Sequence, residues 1–485
     1  MSTVAEAIVQ NLSDAGVDTI FGLPGGENVF VMDAIRQNGL RFVLVKNESS
    51  AVYMAAAYAR VTGQIGAVLT TLGPGALNAA AGIGHAFLDR APVIVVTAKM
   101  WDNILPGHTH QVLDQSAIIS PMTKASFTLS VENVHDTMKH ALRLTRIGCS
   151  GPVHVQVSKQ ICQEEAASPR MRLITQNLDK KFEIRANPTE LSKAHAALAM
   201  SKKPVLLVGL GLEPERPYAQ LKHLAEALSA PVITTPKAKG ALSADHPLAT
   251  GTIGLTRTDP AYEILAEADL VIGIGFDVVE LVLPWDQTQA INLIWLAPWA
   301  NVDPVLPAIA ELVGKMGPIM ENLTDSTSKI EPNWGAGRVK AFRDKMNQRA
   351  LPQPANKRMR PQDVLNAVRF ATPESILVTT DVGSHKILAS LEWPAKAPNS
   401  FMLSNGLSCM GYGVPAAIAA SMALGKQPTV SITGDGGFGM IIGELNLIHE
   451  LEVPVIIVLM NDGALDLIRS AQNRSERETF GTEFT

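Results

Sequence analysis

Short apolar runs rich in Val, Ile and Thr alternate along this chain with longer Ala- and Leu-rich stretches. In the longer stretches, apolar positions recur every three or four residues. The first kind predicts buried strands and the second predicts helices, and the alternation comes in three blocks. Block one, 1–165, opens on an amphipathic helix in "MSTVAEAIVQNLSDAGV" and carries strand candidates "TIFGLPG", "RFVLVKN", "GAVLTTLGPG", "APVIVVTA" and "GPVHVQV". A charged linker, "KQICQEEAASPRMR", follows. Block two, 185–335, carries "KPVLLVGLG", "APVITTP", "ADLVIGIGFD" and "AINLIWLAP". Block three, 358–485, begins within the Pro- and Lys/Arg-rich "LPQPANKRMRPQ", has a helix from about Asp363, and adds "SILVTTDVG", "PTVSITGDG" and "VPVIIVLMND". Three α/β alternations predict three doubly wound parallel-sheet domains, with ligands bound beyond the carboxyl ends of the strands. The third block stops without a further strand, so its sheet is expected to be shortened at the C-terminal side.

Composition narrows this little. The 485 residues are 46% hydrophobic and 18% charged, enough for a proper core in each block. A net charge of −5 with no basic run argues against nucleic acid. Cys149, Cys162 and Cys409 have neither metal spacing nor a disulfide framework, which suits a reducing, cytoplasmic setting. Apolar stretches such as "PVIIVLM" are too short to span a bilayer, so no membrane partner is expected.

The chemistry concentrates in "GDGGFGMIIGELNLIHELEVPVIIVLMNDG", residues 434 to 463. "PTVSIT" reads as a strand, Gly434-Asp435-Gly436-Gly437 as a tight turn, "MIIGELNLIHEL" as a helix and "VPVIIVLM" as the next strand. Such a unit returns Asn461 to the sheet edge that carries Asp435. A carboxylate, an amide oxygen and a backbone carbonyl form a hard oxygen set suited to Mg²⁺ or Ca²⁺. The glycines let backbone N–H groups approach a phosphate. Either motif alone is more often an ordinary strand-end turn. The pair, with 24 residues between Gly436 and Asn461, points to a metal-bridged diphosphate.

On these residues the sequence resembles the thiamine-diphosphate enzymes of the acetolactate synthase and pyruvate decarboxylase superfamily. The resemblance implies thiamine diphosphate and Mg²⁺ as cofactors, with Asp435, Asn461 and the Gly463 carbonyl as metal ligands. The position before Asn461, often a second Asn in the family, is Met460 here. "VKNESSAVYMAAAYARVTG" resembles the segment holding the cofactor-activating glutamate, which implies that Glu48 shares a proton with the pyrimidine N1′. "TTDVGSHKI" resembles the diphosphate-contacting segment, giving Gly383, Ser384 and His385. "SNGLSCMGYGVPAA" resembles the loop that bends the cofactor. It implies Met410 as the wedge between the rings and the Ser408 carbonyl as acceptor for the 4′-amino group. By this resemblance the three blocks are a pyrimidine-binding, a central and a diphosphate-binding domain, assembled as a homodimer or homotetramer.

Within the superfamily, "HTHQVLDQSAIISPMTKASF" and "IGFDVVELVLPWD" resemble catabolic, flavin-free acetolactate synthases, with Gln111 as the substrate-side amide. FAD is therefore not expected. "GLGLEP" at 209–214 also departs from the dinucleotide fingerprint, with Pro214 in the place of the third glycine. The implied reaction is carboligation or decarboxylation of a 2-oxo acid, most simply 2 pyruvate to 2-acetolactate and CO2. Glu27, where that branch often has Lys, and Leu465, where it tends to carry an aromatic, leave the substrate open. A benzoylformate decarboxylase or aldehyde lyase type of activity and a non-catalytic truncated homologue remain the alternatives.

Overall fold

The computed structural model describes residues 2–101, 107, 109–168, 186–281, 292–302, 306–325, 331, 333–349 and 359–484. The linkers expected at 159–172 and 351–362 fall partly outside the described residues. So do the boundaries placed at 185 and 358.

The first sheet holds β1 (Thr19–Leu23), β2 (Arg41–Leu44), β3 (Gly66–Thr70), β4 (Val93–Lys99), β5 (Ser126–Thr128) and β6 (Val153–Ser158). Their order is β2-β1-β3-β4-β6-β5, and every pairing is parallel. On one side of the sheet, helices Val4–Asp14, Val29–Asn38 and Val134–Leu144 share a core with Ala67, Leu69, Ile94, Val96, Val153 and Val155. The opening helix is fixed by a capping box: the Thr3 hydroxyl accepts from the Glu6 N–H, and the Glu6 carboxylate accepts from the Thr3 N–H.

Helix Glu48–Thr62 packs on β1, β3 and β4. It approaches β3 so closely that a Cβ on Gly66 would lie 2.3 Å from the Ala55 carbonyl oxygen, so only glycine fits. Its residues from Ser50 to Ala59 are all buried, as are those from Gly413 to Met422 in helix Gly413–Ala423, which packs against it. Apolar character all round is the signature of an enclosed helix, and the many alanines allow close approach.

The second sheet holds β7 (Pro204–Val208), β8 (Val232–Thr234), β9 (Ala249–Thr252), β10 (Leu270–Ile274), β11 (Asn292–Ala297) and β12 (Ala310–Val313). They run in parallel in the order β12-β11-β10-β7-β8-β9. Period-two alternation on β7 shows the double winding. Leu206 and Val208 enter one core with helices Pro188–Met200, Tyr218–Ala227 and Met316–Thr324. Val205 and Leu207 enter another with Ile264, Trp334 and Phe342.

The third sheet has four strands, β13 (Leu377–Thr380), β14 (Phe401–Leu403), β15 (Thr429–Gly434) and β16 (Val455–Met460), in the order β14-β13-β15-β16. β13 and β14 pair in parallel. The helix expected from about Asp363 spans Pro361–Ala371, with Pro361 in its first turn.

The architecture is therefore three parallel-sheet α/β domains, as the alternation of apolar runs predicts. Four strands were not anticipated: β5, β9, β12 and β14. The Gly434–Gly437 turn also needs correction. The helix begins at Asp435 itself, directly after β15. The single helix expected beyond it is three short pieces, Asp435–Met440, Ile442–Glu444 (3-10) and Leu445–Glu450.

Candidate active site

Glu48 is the first residue of its helix, behind an Asn47 N-cap whose side chain accepts from the Ser49 N–H. Glu48 is 4% exposed. Oε2 accepts from Asn78 Nδ2 at 3.1 Å. Oε1 faces Gly75, where a Cβ would sit 3.2 Å from it and 2.8 Å from Thr71 Cγ2. The glycine turn 73–75 and helix Pro74–Asn78 thus cradle the carboxylate from one side.

A second carboxylate fixes the approach to this helix. Glu444 is buried and accepts from the Lys46 N–H at 3.1 Å and the Asn47 N–H at 2.9 Å. Burial raises its pKa against the pull of those amides and the Ser50 hydroxyl. The residue immediately before Glu48 is therefore pinned by a group 397 positions away.

Gln111, the expected substrate-side amide, is exposed and has a φ of 55°. Its Cβ lies 3.8 Å from the place a Cβ on Gly73 would take. The glutamine that bonds the turn is Gln115, which sequence reasoning passed over. Its Oε1 accepts from the Gly73 N–H at 3.2 Å, and its Nε2 donates to Ala98 O at 2.6 Å and to Thr97 Oγ1 at 2.8 Å. Gln115 lies four residues after Gln111, as the first residue of helix Gln115–Ile119, and no sequence pattern marks it.

Ser408 adopts a φ of 55°, a left-handed conformation that costs a non-glycine residue about 1–2 kcal/mol. It lies with Met410 in the loop between β14 and helix Gly413–Ala423.

Gly383 precedes helix Ser384–Glu392, and a Cβ there would come 2.6 Å from His385 Cε1. The Ser384 hydroxyl donates to the Asp466 carboxylate. Asp466 also pairs with Arg469 at 3.0 Å, and Arg469 pairs with Asp462 at 2.5 Å. The Ser384 bond, with Arg469, holds Asp466 below the usual carboxylate range.

Of the expected metal ligands, Asp435 follows the last residue of β15 and accepts from the Gly436 N–H at 3.0 Å. Asn461 follows the last residue of β16, and its Oδ1 accepts from the Gly463 N–H at 3.2 Å. Gly463 has a φ of 69°, and its carbonyl accepts from the Phe484 N–H at 2.7 Å. A carbonyl or carboxylate oxygen that accepts one hydrogen bond keeps a further lone pair. Each of these oxygens, taken singly, is of the hard type that divalent cations such as Mg²⁺ accept. Among the described residues, no cluster of three or more His, Cys, Asp or Glu side chains could hold a metal by itself.

Comparison with known proteins decides the family. Three thiamine pyrophosphate enzyme families match in order. The N-terminal TPP binding domain covers residues 2–118, the central domain 191–323 and the C-terminal TPP binding domain 381–485. The acetolactate synthase isozyme 3 large subunit of Escherichia coli is 31% identical over 98% of this chain and 84% of its own length. The chain belongs to the thiamine pyrophosphate enzyme family. The acetolactate synthase of Bacillus subtilis is 30% identical over 99% of the chain and 85% of that protein. A probable acetolactate synthase large subunit of Methanocaldococcus jannaschii is 30% identical over 97% and 82%. This thiamine pyrophosphate enzyme is thus related to acetolactate synthases along nearly its whole length. No helix among the described residues is long and apolar enough to cross a membrane.

Proposed function

We propose that this chain is a thiamine-diphosphate- and Mg²⁺-dependent carboligase of 2-oxo acids that converts 2 pyruvate to 2-acetolactate and CO2. The observation that carries this reading is the buried Glu48 carboxylate, held by Asn78 on Oε2 and left beside Gly75 on Oε1. Thiamine diphosphate, when bound, supplies a nucleophilic carbon and an electron sink for decarboxylation. Glu48 Oε1 would share a proton with the pyrimidine N1′, and Gln115 and Glu444 keep the surrounding turn and helix start in place. Gly383, Ser384, His385 and Gly434 to Gly437 would receive the diphosphate, where missing or small side chains permit close approach. Asp435, Asn461 and the Gly463 carbonyl would hold Mg²⁺, Ser408 and Met410 would face the cofactor rings, and Gln111 would meet the substrate.

In this reading residues 1–165 form the pyrimidine-binding domain, 185–335 the central domain and 358–485 the diphosphate-binding domain. FAD has no role, and the active form is a homodimer or homotetramer. Support comes from the acetolactate synthase relatives together with the hard oxygen donors and the glycines that keep the site open. Incubation with pyruvate, thiamine diphosphate and Mg²⁺, with products identified, tests it. One 2-acetolactate and one CO2 for each two pyruvates consumed supports the proposal, whereas free acetaldehyde as the main product would replace it with a simple decarboxylase.

A further inference from the structure

Helix Ala80–Leu88 presents Ala81, Gly84, His85 and Leu88 along one face, at the i, i+3, i+4, i+7 spacing. The loop 406–412 lies along that face. Its glycine at 406 is so close that a Cβ would come 2.6 Å from Leu88 Cβ and 2.8 Å from the Leu88 carbonyl oxygen. A Cβ on Gly84 would come 2.9 Å from Leu407 Cδ2. Cys409 Sγ is 3.6 Å from Ala81 O, and the Tyr412 ring centroid is 4.8 Å from that of His85.

Asp89, one residue past the helix, ties the arrangement together. Its Oδ1 accepts from the Gly406 N–H at 2.7 Å, and its Oδ2 lies 3.3 Å from His85 Nδ1. Both side chains are 1% exposed. Tyr53, from the Glu48 helix, meets His85 and Tyr412 edge-on at 5.4 and 5.8 Å. A buried carboxylate persists only where such donors offset its lost hydration. The two ends of the loop are thus held, one by Asp89 at Gly406 and the other by His85 at Tyr412. Between them Ser408 and Gly411 have φ of 55° and 84°. Ser408, with its side chain, would relax from this conformation if the ends were free.

We propose that Asp89 and His85 are positioning residues that clamp the loop 406–412, so that the Ser408 carbonyl and Met410 are presented to the cofactor in a fixed geometry. The last clause rests on the proposed cofactor-facing role of Ser408 and Met410, and the clamp itself does not. Neither side chain reaches the reacting atoms in this account.

Amide hydrogen exchange across 406–412 in the cofactor-free protein, paired with thiamine diphosphate titration and the near-ultraviolet dichroism of the bound cofactor, separates the two parts. In Asp89→Ala, exchange at 406–411 should rise about tenfold, the equivalent of one hydrogen bond to a charged group. Cofactor affinity should fall and the dichroism band should change. Asp89→Asn keeps an oxygen acceptor for the Gly406 N–H and should restore most of the protection. Unchanged exchange in Asp89→Ala would overturn the clamp. Faster exchange with unaltered cofactor binding and dichroism would keep the clamp and refute the role of Ser408 and Met410. Should Asp89→Ala fail to fold, His85→Phe keeps the ring against Tyr412 and removes the contact with Asp89. Faster exchange there supports the clamp, and wild-type exchange refutes it.

Discussion

The side-chain amide of Asn78 donates to Glu48 Oε2 at 3.1 Å, although the two residues sit on different helices and 30 positions apart. That bond selects which carboxylate oxygen remains for a ligand. It also makes Asn78 a determinant of the site. Asn78→Ala should lower kcat about tenfold, the scale of one lost bond to a charged group, while the melting temperature moves little. Asn78→Asp should be worse, because it replaces the donor to Oε2 with a carboxylate that can only accept and repels it. Steady-state kinetics of both variants checks the order.

Two glycines each sit where a side chain would crowd a proposed cofactor-facing group. A methyl group at Gly75 would press on Thr71 and Glu48 Oε1, and one at Gly383 would meet the His385 ring. Gly75→Ala is expected to reduce turnover by displacing the carboxylate. Gly383→Ala should weaken thiamine diphosphate binding. Cofactor titration and thermal melting distinguish these outcomes from unfolding.

The proposed metal set makes its own prediction. Asp435→Ala removes the one charged donor among Asp435, Asn461 and the Gly463 carbonyl. Mg²⁺-dependent binding of thiamine diphosphate should then be lost. Calorimetric titration at several Mg²⁺ concentrations measures this, and wild-type affinity in the variant would remove Asp435 from the set.

The central domain predicts a pH effect. Glu280 is fully enclosed, accepting from the Leu210 N–H at 2.8 Å and bonded to the Thr235 hydroxyl, with Asp277 and Lys237 nearby. Burial pushes its pKa up to about 8. The folded state thus holds the proton more tightly than an exposed glutamate of pKa 4.5 does. The stabilising contribution is complete below about pH 4.5 and lost as pH rises through about 8. Glu280→Gln keeps an acceptor for Leu210 and carries no charge, so its melting temperature should fall less than that of the wild type between about pH 5 and 8.

Much of this was legible in the sequence, and for a physical reason. β1, β3, β4, β7, β10 and β15 are central strands enclosed on both faces, so they read as largely apolar runs of Val, Ile, Leu and Thr. β5, β9, β12 and β14 have only three or four residues each, and all four are edge strands, where a weaker apolar signal suffices. The motif residues Glu48, Asp435 and Asn461 stand out because the proposed cofactor chemistry would call for their types after strand ends. Asn78, Gln115, Glu444 and Asp89 do not stand out. Glu444 acts on Lys46 and Asp89 on Gly406, at separations of 398 and 317 residues, and no local pattern records such partners.

The role of Glu48 is the centre of the account, and exchange of the thiazolium C2 proton of bound thiamine diphosphate reports on it directly. With Mg²⁺ present and no substrate, Glu48→Gln should bind the cofactor with near wild-type affinity and lose accelerated C2 proton exchange. Exchange at the wild-type rate in that variant would contradict the account.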